Sequence, residues 1–178
     1  MKRIMLIDDE PNVLFALQRV LERAFSGQDV SVESHASPLA ALGRCQYIRY
    51  EVVISDYRMP GMDGVTLLKA IRALQPDSIR LMLSATTDFD AAMAAVNQAE
   101  VHRYLVKPWS RDELVDTVRE ALERYDRLLE DRLLADEKRA ERGSITSEDK
   151  ERRRLEAESP GITRVKWGPG GELLLDDD

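Results

Sequence analysis

The sequence predicts an α/β fold in which five short strands alternate with five helices around one parallel sheet. Two observations support this prediction. Short continuous apolar runs, typical of strands buried on both faces, recur along the first 125 residues. Segments with apolar residues spaced three and four apart follow these runs and indicate helices. Alternation of this kind forms right-handed βαβ units, which place helices on both faces of the sheet.

Four of the predicted strands are apolar runs, at residues 4–7, 52–54, 81–83 and 104–106, and a helix signal follows each predicted strand. The second predicted strand, 30–34, is a weaker signal in which Val30 and Val32 alternate with polar residues. Pro11 and Pro38 open the first two helices, because the N–H that proline lacks has no partner in the first helical turn. Ser37 is a suitable N-cap for the second helix, and Asp88 can cap the helix predicted between the fourth and fifth strands. The remaining two helices follow the third and fifth strands.

Polar residues stand at the ends of four of these strands. They are Asp8 and Asp9 after the first strand, Asp56 after the third, Ser84 after the fourth and Lys107 after the fifth. The carboxyl ends of parallel strands lie at one edge of a sheet, and α/β proteins bind their ligands there. The sequence therefore predicts a site that contains three carboxylates, one hydroxyl and one ammonium group.

The chemistry predicted for this site is phosphoryl transfer to a carboxylate. Three neighbouring carboxylates repel one another unless a cation joins them, and their oxygen atoms suit Mg²⁺. Lys107 supplies a compact positive charge for a phosphoryl oxygen, and Ser84 supplies a hydrogen bond. Asp56 can then act as the nucleophile. Taken singly these residues have simpler explanations, since an Asp-Asp pair often caps a helix and a Lys-Pro step often forms a turn; their combination in register favours the phosphoacceptor.

These motifs resemble the response regulator receiver domain of two-component systems over about residues 1–125. The acidic pair, the stretch 55–64 (SDYRMPGMDG), the Ser84-Ala85 step and the stretch 104–108 (YLVKP) stand in that family's order and spacing. The resemblance implies a flavodoxin-like, doubly wound (βα)5 fold. It also implies that Asp56 accepts a phosphoryl group from a histidine kinase, a phosphotransfer protein or a small phosphodonor.

The resemblance also implies roles for individual residues. It assigns Mg²⁺ to Asp8 (through water), Asp9, Asp56 and the backbone carbonyl of Arg58. Ser84 and Tyr104 would form the relay that changes the shape of a protein-binding surface after phosphorylation. Lys107 and Pro108 would be joined by a cis peptide bond, which is costly except before proline.

The last third of the chain differs in composition from the rest. Residues 126–178 contain 26 charged residues, whereas the first 125 contain 33. This shift predicts a receiver domain over 1–125, a charged helical extension over 126–158 and a short β-hairpin tail over 159–178. The helical spacing nevertheless continues past residue 125 to about Arg142, so the last receiver helix is expected to be extended. Alternating residues around a Gly/Pro turn predict the hairpin.

Composition limits the partners and the location that we expect. The net charge of −7 and the pI of about 5.0 argue against nucleic acid or an anionic membrane as the main partner. The longest apolar runs are far shorter than a membrane span, and we expect a cytoplasmic protein. The single cysteine, Cys45, is expected to be a small core residue.

Three classes of output remain open at the level of sequence. The first is a phosphorylation-controlled interaction protein, without enzymatic output, that forms a homodimer through residues 111–142 or docks a downstream partner of unknown identity. In the alternative arrangement the first half of this helix packs on the sheet and the second half is solvated. The second class is a transcriptional regulator that binds DNA through the tail. The third is a phosphatase of the haloacid-dehalogenase type with Asp8 as nucleophile, although such enzymes carry Asp-x-Asp at this position.

Overall fold

The computed structural model describes residues 1–85, 99–141, 147–158, 166–167 and 173–174. Five strands form one parallel sheet in the order β2-β1-β3-β4-β5, and this confirms the predicted fold class. The strands are β1 (Lys2–Ile7), β2 (Val30–His35), β3 (Val52–Asp56), β4 (Ile79–Ala85) and β5 (Arg103–Lys107).

Helices cover both faces of this sheet. The described helices are α1 (Pro11–Ala24), α2 (Pro38–Arg44), α3 (Gly64–Leu74), α4 (Arg111–Glu141) and α5 (Ser147–Glu158), of which the first four supply residues to the core on the sheet. Proline opens α1 and α2 as expected, and the Ser37 hydroxyl accepts a hydrogen bond from the Ala40 N–H at the start of α2. The helix predicted to begin near Asp88 lies in residues 86–98, outside the described residues.

Two hydrophobic layers explain why the strands other than β2 contain continuous apolar runs, whereas β2, at the edge of the sheet, is only partly buried. Ile4 and Leu6 face α1 and α4, whereas Met5 and Ile7 face α2 and α3. Successive side chains of a strand point to opposite faces, so a strand buried on both faces needs an apolar residue at every position. Cys45 lies in the second layer with 1% of its surface exposed, which confirms its expected role in the core.

Helix α4 continues without a break past residue 125. Leu122 and Tyr125 are buried in the first core layer and Leu129 packs against its rim, whereas Leu133 and Leu134 are about half exposed. The first half of the predicted apolar seam is therefore part of the core on this sheet. This much agrees with the second of the two arrangements expected for the helix, and the role of its second half stays a prediction.

The remaining described segments follow α4. Helix α5 packs against it, and the two strands of a small antiparallel pair, β6 (Lys166–Trp167) and β7 (Leu173–Leu174), come last. The predicted turn between these strands lies outside the described residues, and the predicted division of the chain into three parts stays a prediction. Among the helices that the structure describes, none is both apolar enough and long enough to cross a bilayer.

Candidate functional site

Three of the predicted site residues meet at the carboxyl edge of the sheet. The Lys107 Nζ atom lies 2.8 Å from Asp8 Oδ2 and 2.5 Å from Asp56 Oδ1. Asp8 follows β1 directly, and Asp56 and Lys107 are the last residues of β3 and β5. Because these strands are parallel, their last residues are at the same edge even though they come from distant parts of the sequence.

Asp8 is held inside this edge by both of its carboxylate oxygens. It has no exposed surface, Oδ2 accepts from Lys107, and Oδ1 accepts a hydrogen bond of 2.9 Å from the Glu10 N–H. A buried carboxylate needs such partners because it has lost its hydration. Both carboxylate oxygens of Asp8 therefore have hydrogen-bond donors, and one of these donors is Lys107.

Asp56 lies in a mixed environment that shifts its proton affinity. It is 6% exposed, and its Oδ2 atom accepts a hydrogen bond of 2.8 Å from the Arg58 N–H. Burial raises the pKa of Asp56, and the negative charge of Asp8 adds to this, while Lys107 opposes it. Burial lowers the pKa of Lys107, but hydrogen bonds to Asp56 and Asp8 outweigh it, so the pKa of this ammonium group is raised.

The loop after β3 brings α3 unusually close to the phosphoacceptor candidate. The Gly64 N–H donates to the Tyr57 carbonyl over 2.8 Å, and a Cβ atom on Gly64 would lie 2.2 Å from the Asp56 carbonyl oxygen. Asp63 caps the same helix by accepting from the Thr66 N–H. From sequence, Gly64 stands out only as a poor helix former at the first position of a helix, and no functional role follows from that pattern.

Asp9 lies beside this loop and is exposed, unlike Asp8. It lines an open cleft of about 480 Å³ whose other lining residues are Tyr57, Arg58, Met59, Pro60 and Asp63. In the part of the chain that the structure describes, no three His, Cys, Asp or Glu side chains converge as a ready-made metal cluster. Mg²⁺ typically takes only one or two carboxylates and keeps several waters, so an exposed Asp9 beside the loop of Asp56 suits this ion.

Ser84 and Tyr104 share one backbone oxygen at the end of β4. The Ser84 hydroxyl and the Tyr104 hydroxyl each lie 3.5 Å from the Ala85 carbonyl oxygen, at the long limit for hydrogen bonds. Ser84 is 2% exposed, and Tyr104 is half-buried against the second core layer. The peptide bond between Lys107 and Pro108 is cis.

Comparison with known proteins gives a consistent result. Residues 4–119 match the family model described as the response regulator receiver domain. The hydrogenase transcriptional regulatory protein HoxA of Cupriavidus necator is 38% identical over 120 residues, which are 67% of this chain and 24% of HoxA. The C4-dicarboxylate transport transcriptional regulatory protein DctD of Rhizobium meliloti is 33% identical over 171 residues, or 96% of this chain and 32% of DctD. The chain thus spans about a quarter to a third of these curated relatives.

Solved structures with the same fold include receiver domains. The signal receiver domain of an HD domain-containing protein from Pseudomonas fluorescens Pf-5 has a TM-score of 0.65 and 31% identity, covering 70% of this chain and 97% of that one. The beryllofluoride-activated NtrC4 receiver domain, solved as a dimer, has a TM-score of 0.64 and 26% identity. The match covers 70% of this chain and 99% of that one.

Proposed function

This chain belongs to the response regulator receiver domain family, whose members act in phosphorelay signal transduction, and we propose that Asp56 is its phosphoacceptor. The observation that carries the proposal is the position of Lys107, whose ammonium group contacts the carboxylates of both Asp8 and Asp56. That geometry places a cation against a carboxylate that can act as the nucleophile, and the loop that follows Asp56 lines an open cleft.

Receiver domains are phosphorylated by histidine kinases and generally use Mg²⁺. In this chain we assign the ion to Asp9, Asp56, the Arg58 carbonyl and, through water, Asp8. When bound, it would neutralise negative charge on the phosphoryl oxygens. The Asp56 carboxylate attacks phosphorus, the bond from phosphorus to the donor breaks, and the donor leaves with that electron pair. Lys107 keeps its contact with Asp8 while it exchanges Asp56 for a phosphoryl oxygen.

Phosphorylation would then act on Ser84 and Tyr104. A phosphoryl oxygen on Asp56 is a stronger acceptor for the Ser84 hydroxyl than the Ala85 carbonyl oxygen, which lies 3.5 Å from that hydroxyl. Movement of Ser84 would change the packing of Tyr104, which contacts the same carbonyl. The phosphoryl group thereby biases two states of the surface near β5 rather than building a new one.

Exchange of Asp56 for Asn tests the phosphoacceptor. The chain is incubated with a small phosphodonor and Mg²⁺, and intact mass spectrometry measures the added phosphoryl group. Asp56→Asn should abolish the addition, because an amide is not a comparable nucleophile. Asp116→Asn is the matched control, since Asp116 is exposed on α4 and does not line the cleft. Full phosphorylation of Asp56→Asn would refute the assignment.

We also propose that the chain forms a homodimer through residues 111–142. The apolar residues that α4 leaves exposed for a second copy are Leu128, Leu133 and Leu134. Similarity to DctD covers 96% of the chain, including α4 and α5, and the NtrC4 receiver was solved as a dimer. Analytical ultracentrifugation with and without beryllofluoride tests this proposal. Leu134→Gln should weaken the dimer, and a monomer under both conditions would contradict it.

A role in transcription is the second candidate, because HoxA, DctD and NtrC are named as transcriptional regulators. Direct DNA contact by α5 is less favoured, since Arg152, Arg153 and Arg154 each form an ion pair with a carboxylate. A DNA mobility shift that weakens steeply with salt would favour it. The phosphatase alternative is disfavoured because Asp8 has no exposed surface.

A further inference from the structure

Helix α4 leaves the sheet at the edge opposite to Asp56, and side chains from two connections meet it there. Arg49 lies in the connection that enters β3, and Asp77 lies in the connection that enters β4. Both connections are at the amino ends of their strands, whereas Asp56 is at the carboxyl end of β3. The second half of α4 therefore meets the receiver far from the phosphoacceptor.

A charged cluster joins these connections to α4. Arg49 Nη1 donates to the Tyr125 hydroxyl over 3.3 Å, and Arg49 Nη2 lies 3.9 Å from Asp77 Oδ2. Arg132 forms a close ion pair with the same oxygen of Asp77. We call Arg49, Asp77, Tyr125 and Arg132 the helix latch. Tyr125 and Arg132 lie two turns apart on α4. The latch therefore contacts the helix both at Tyr125, which is in the core, and at Arg132, which is outside it.

Burial makes this cluster more than a surface ion pair. The side chains of Arg49 and Asp77 are 14% and 23% exposed, and Tyr125 is buried. Exposed ion pairs contribute little because water competes with them, but loss of one partner from a buried pair leaves an uncompensated charge. Asp77 is the central member, since its Oδ2 atom forms ion pairs with the guanidinium groups of both Arg49 and Arg132.

Two further contacts attach the same stretch of α4 to the receiver. Lys2 Nζ, at the start of β1, lies 2.5 Å from Asp126 Oδ2. Leu129 packs against the rim of the first core layer. The stretch 125–132 is thus attached to β1 through Asp126, to the connection before β3 through Tyr125 and to the connection before β4 through Arg132, and these contacts together restrict its rotation as well as its distance.

From this geometry we propose that the helix latch makes residues 126–141 a rigid continuation of the receiver, so that they move with it as a lever and do not pivot at residue 125. A helix end that carries exposed leucines and mostly charged residues has little intrinsic stability of its own and would otherwise fray. The lever converts movement of α4 within the receiver into displacement of α5. This inference concerns the latch alone and holds whether or not Asp56 is the phosphoacceptor.

Hydrogen–deuterium exchange on the full chain tests the latch. Asp77→Asn should speed amide exchange in residues 126–141 by about tenfold, because local opening then no longer breaks the charged contacts. Residues 111–124 pack on the sheet and should be unaffected. Arg132→Gln should give the same result with less risk to folding, since Arg132 is half exposed. Asp116→Asn is the matched control, because Asp116 is exposed and pairs with Arg119, one turn along the same helix.

The outcomes separate a latch from a general loss of stability. Unchanged exchange in residues 126–141 of folded Arg132→Gln would overturn the proposal, and so would an equal increase in Asp116→Asn. Spin labels at Arg19→Cys and Lys138→Cys provide an independent measurement by pulsed dipolar spectroscopy. The distance distribution should be narrow in the parent chain and broad in Arg132→Gln; equally broad distributions in both would refute the lever.

Discussion

Exchange of Gly64 for Ala is the sharpest test of how the fold positions Asp56. A Cβ atom at residue 64 would lie 2.2 Å from the Asp56 carbonyl oxygen, whereas real Cβ contacts are essentially never below 3.0 Å. The two atoms must therefore separate by about 0.8 Å, the difference between these distances. The atom in the way is backbone, so no side-chain rotation can relieve the clash.

The expected loss of stability follows from overpacking, and the expected loss of phosphorylation rate follows from displacement of the reacting group. Extra atoms in a packed site cost about 1–3 kcal/mol, partly offset by the better helix propensity of Ala, which is roughly 1 kcal/mol. We expect a net loss of up to about 2 kcal/mol in the free energy of unfolding. A shift of roughly 1 Å in a reacting group can lower a rate on the order of a hundredfold, so phosphorylation should slow far more than stability falls.

Two assays and one control complete the test. Urea denaturation gives the free energy of unfolding, and the initial rate of phosphoryl uptake with a small phosphodonor and Mg²⁺ gives the activity. Gly43→Ala is the matched control, because Gly43 lies in α2 and no heavy atom would meet its Cβ within 4 Å. It should gain about 0.5–1 kcal/mol and keep its rate. A Gly64→Ala variant with the parent's rate and stability would refute the argument.

Two further predictions concern groups away from the site. Burial would raise the pKa of Glu33, but hydrogen bonds from Tyr50 and Arg44 outweigh it and lower this pKa. Glu33→Gln should therefore reduce the free energy of unfolding at neutral pH by on the order of 1 kcal/mol or less. Urea denaturation should show this difference between variant and parent vanishing as the pH falls below the ordinary pKa of 4.5 and through the lowered pKa of Glu33. A difference that grows in acid would contradict the prediction. Burial raises the pKa of the Cys45 thiol to about 12, and only 1% of the residue is exposed. A thiol reagent should label native Cys45 at least about a thousandfold more slowly than in urea, and rapid native labelling would show that the core opens there.

The direction of the strands was enough to predict which residues lie together at the site. Asp8, Asp56 and Lys107 follow apolar runs, and parallel strands bring their carboxyl ends to one edge whatever the details of packing. Which carboxylates the ammonium group contacts was not predictable. Lys107 contacts Asp8 and Asp56, while Asp9 faces an open cleft, because adjacent residues after a strand point in different directions.

The sequence by itself determined the class of fold and the edge of the sheet at which the site residues lie. Burial of a strand on both faces imposes a local apolar pattern, and such a pattern is visible in the sequence. The tertiary structure decided the contacts between distant residues. The apolar seam of α4 packs on its own sheet through Leu122 and Tyr125, and Arg132 pairs with Asp77 at a separation of 55 residues. Such pairs depend on where helices cross the sheet and where connections turn, and no local pattern in the sequence predicts these positions.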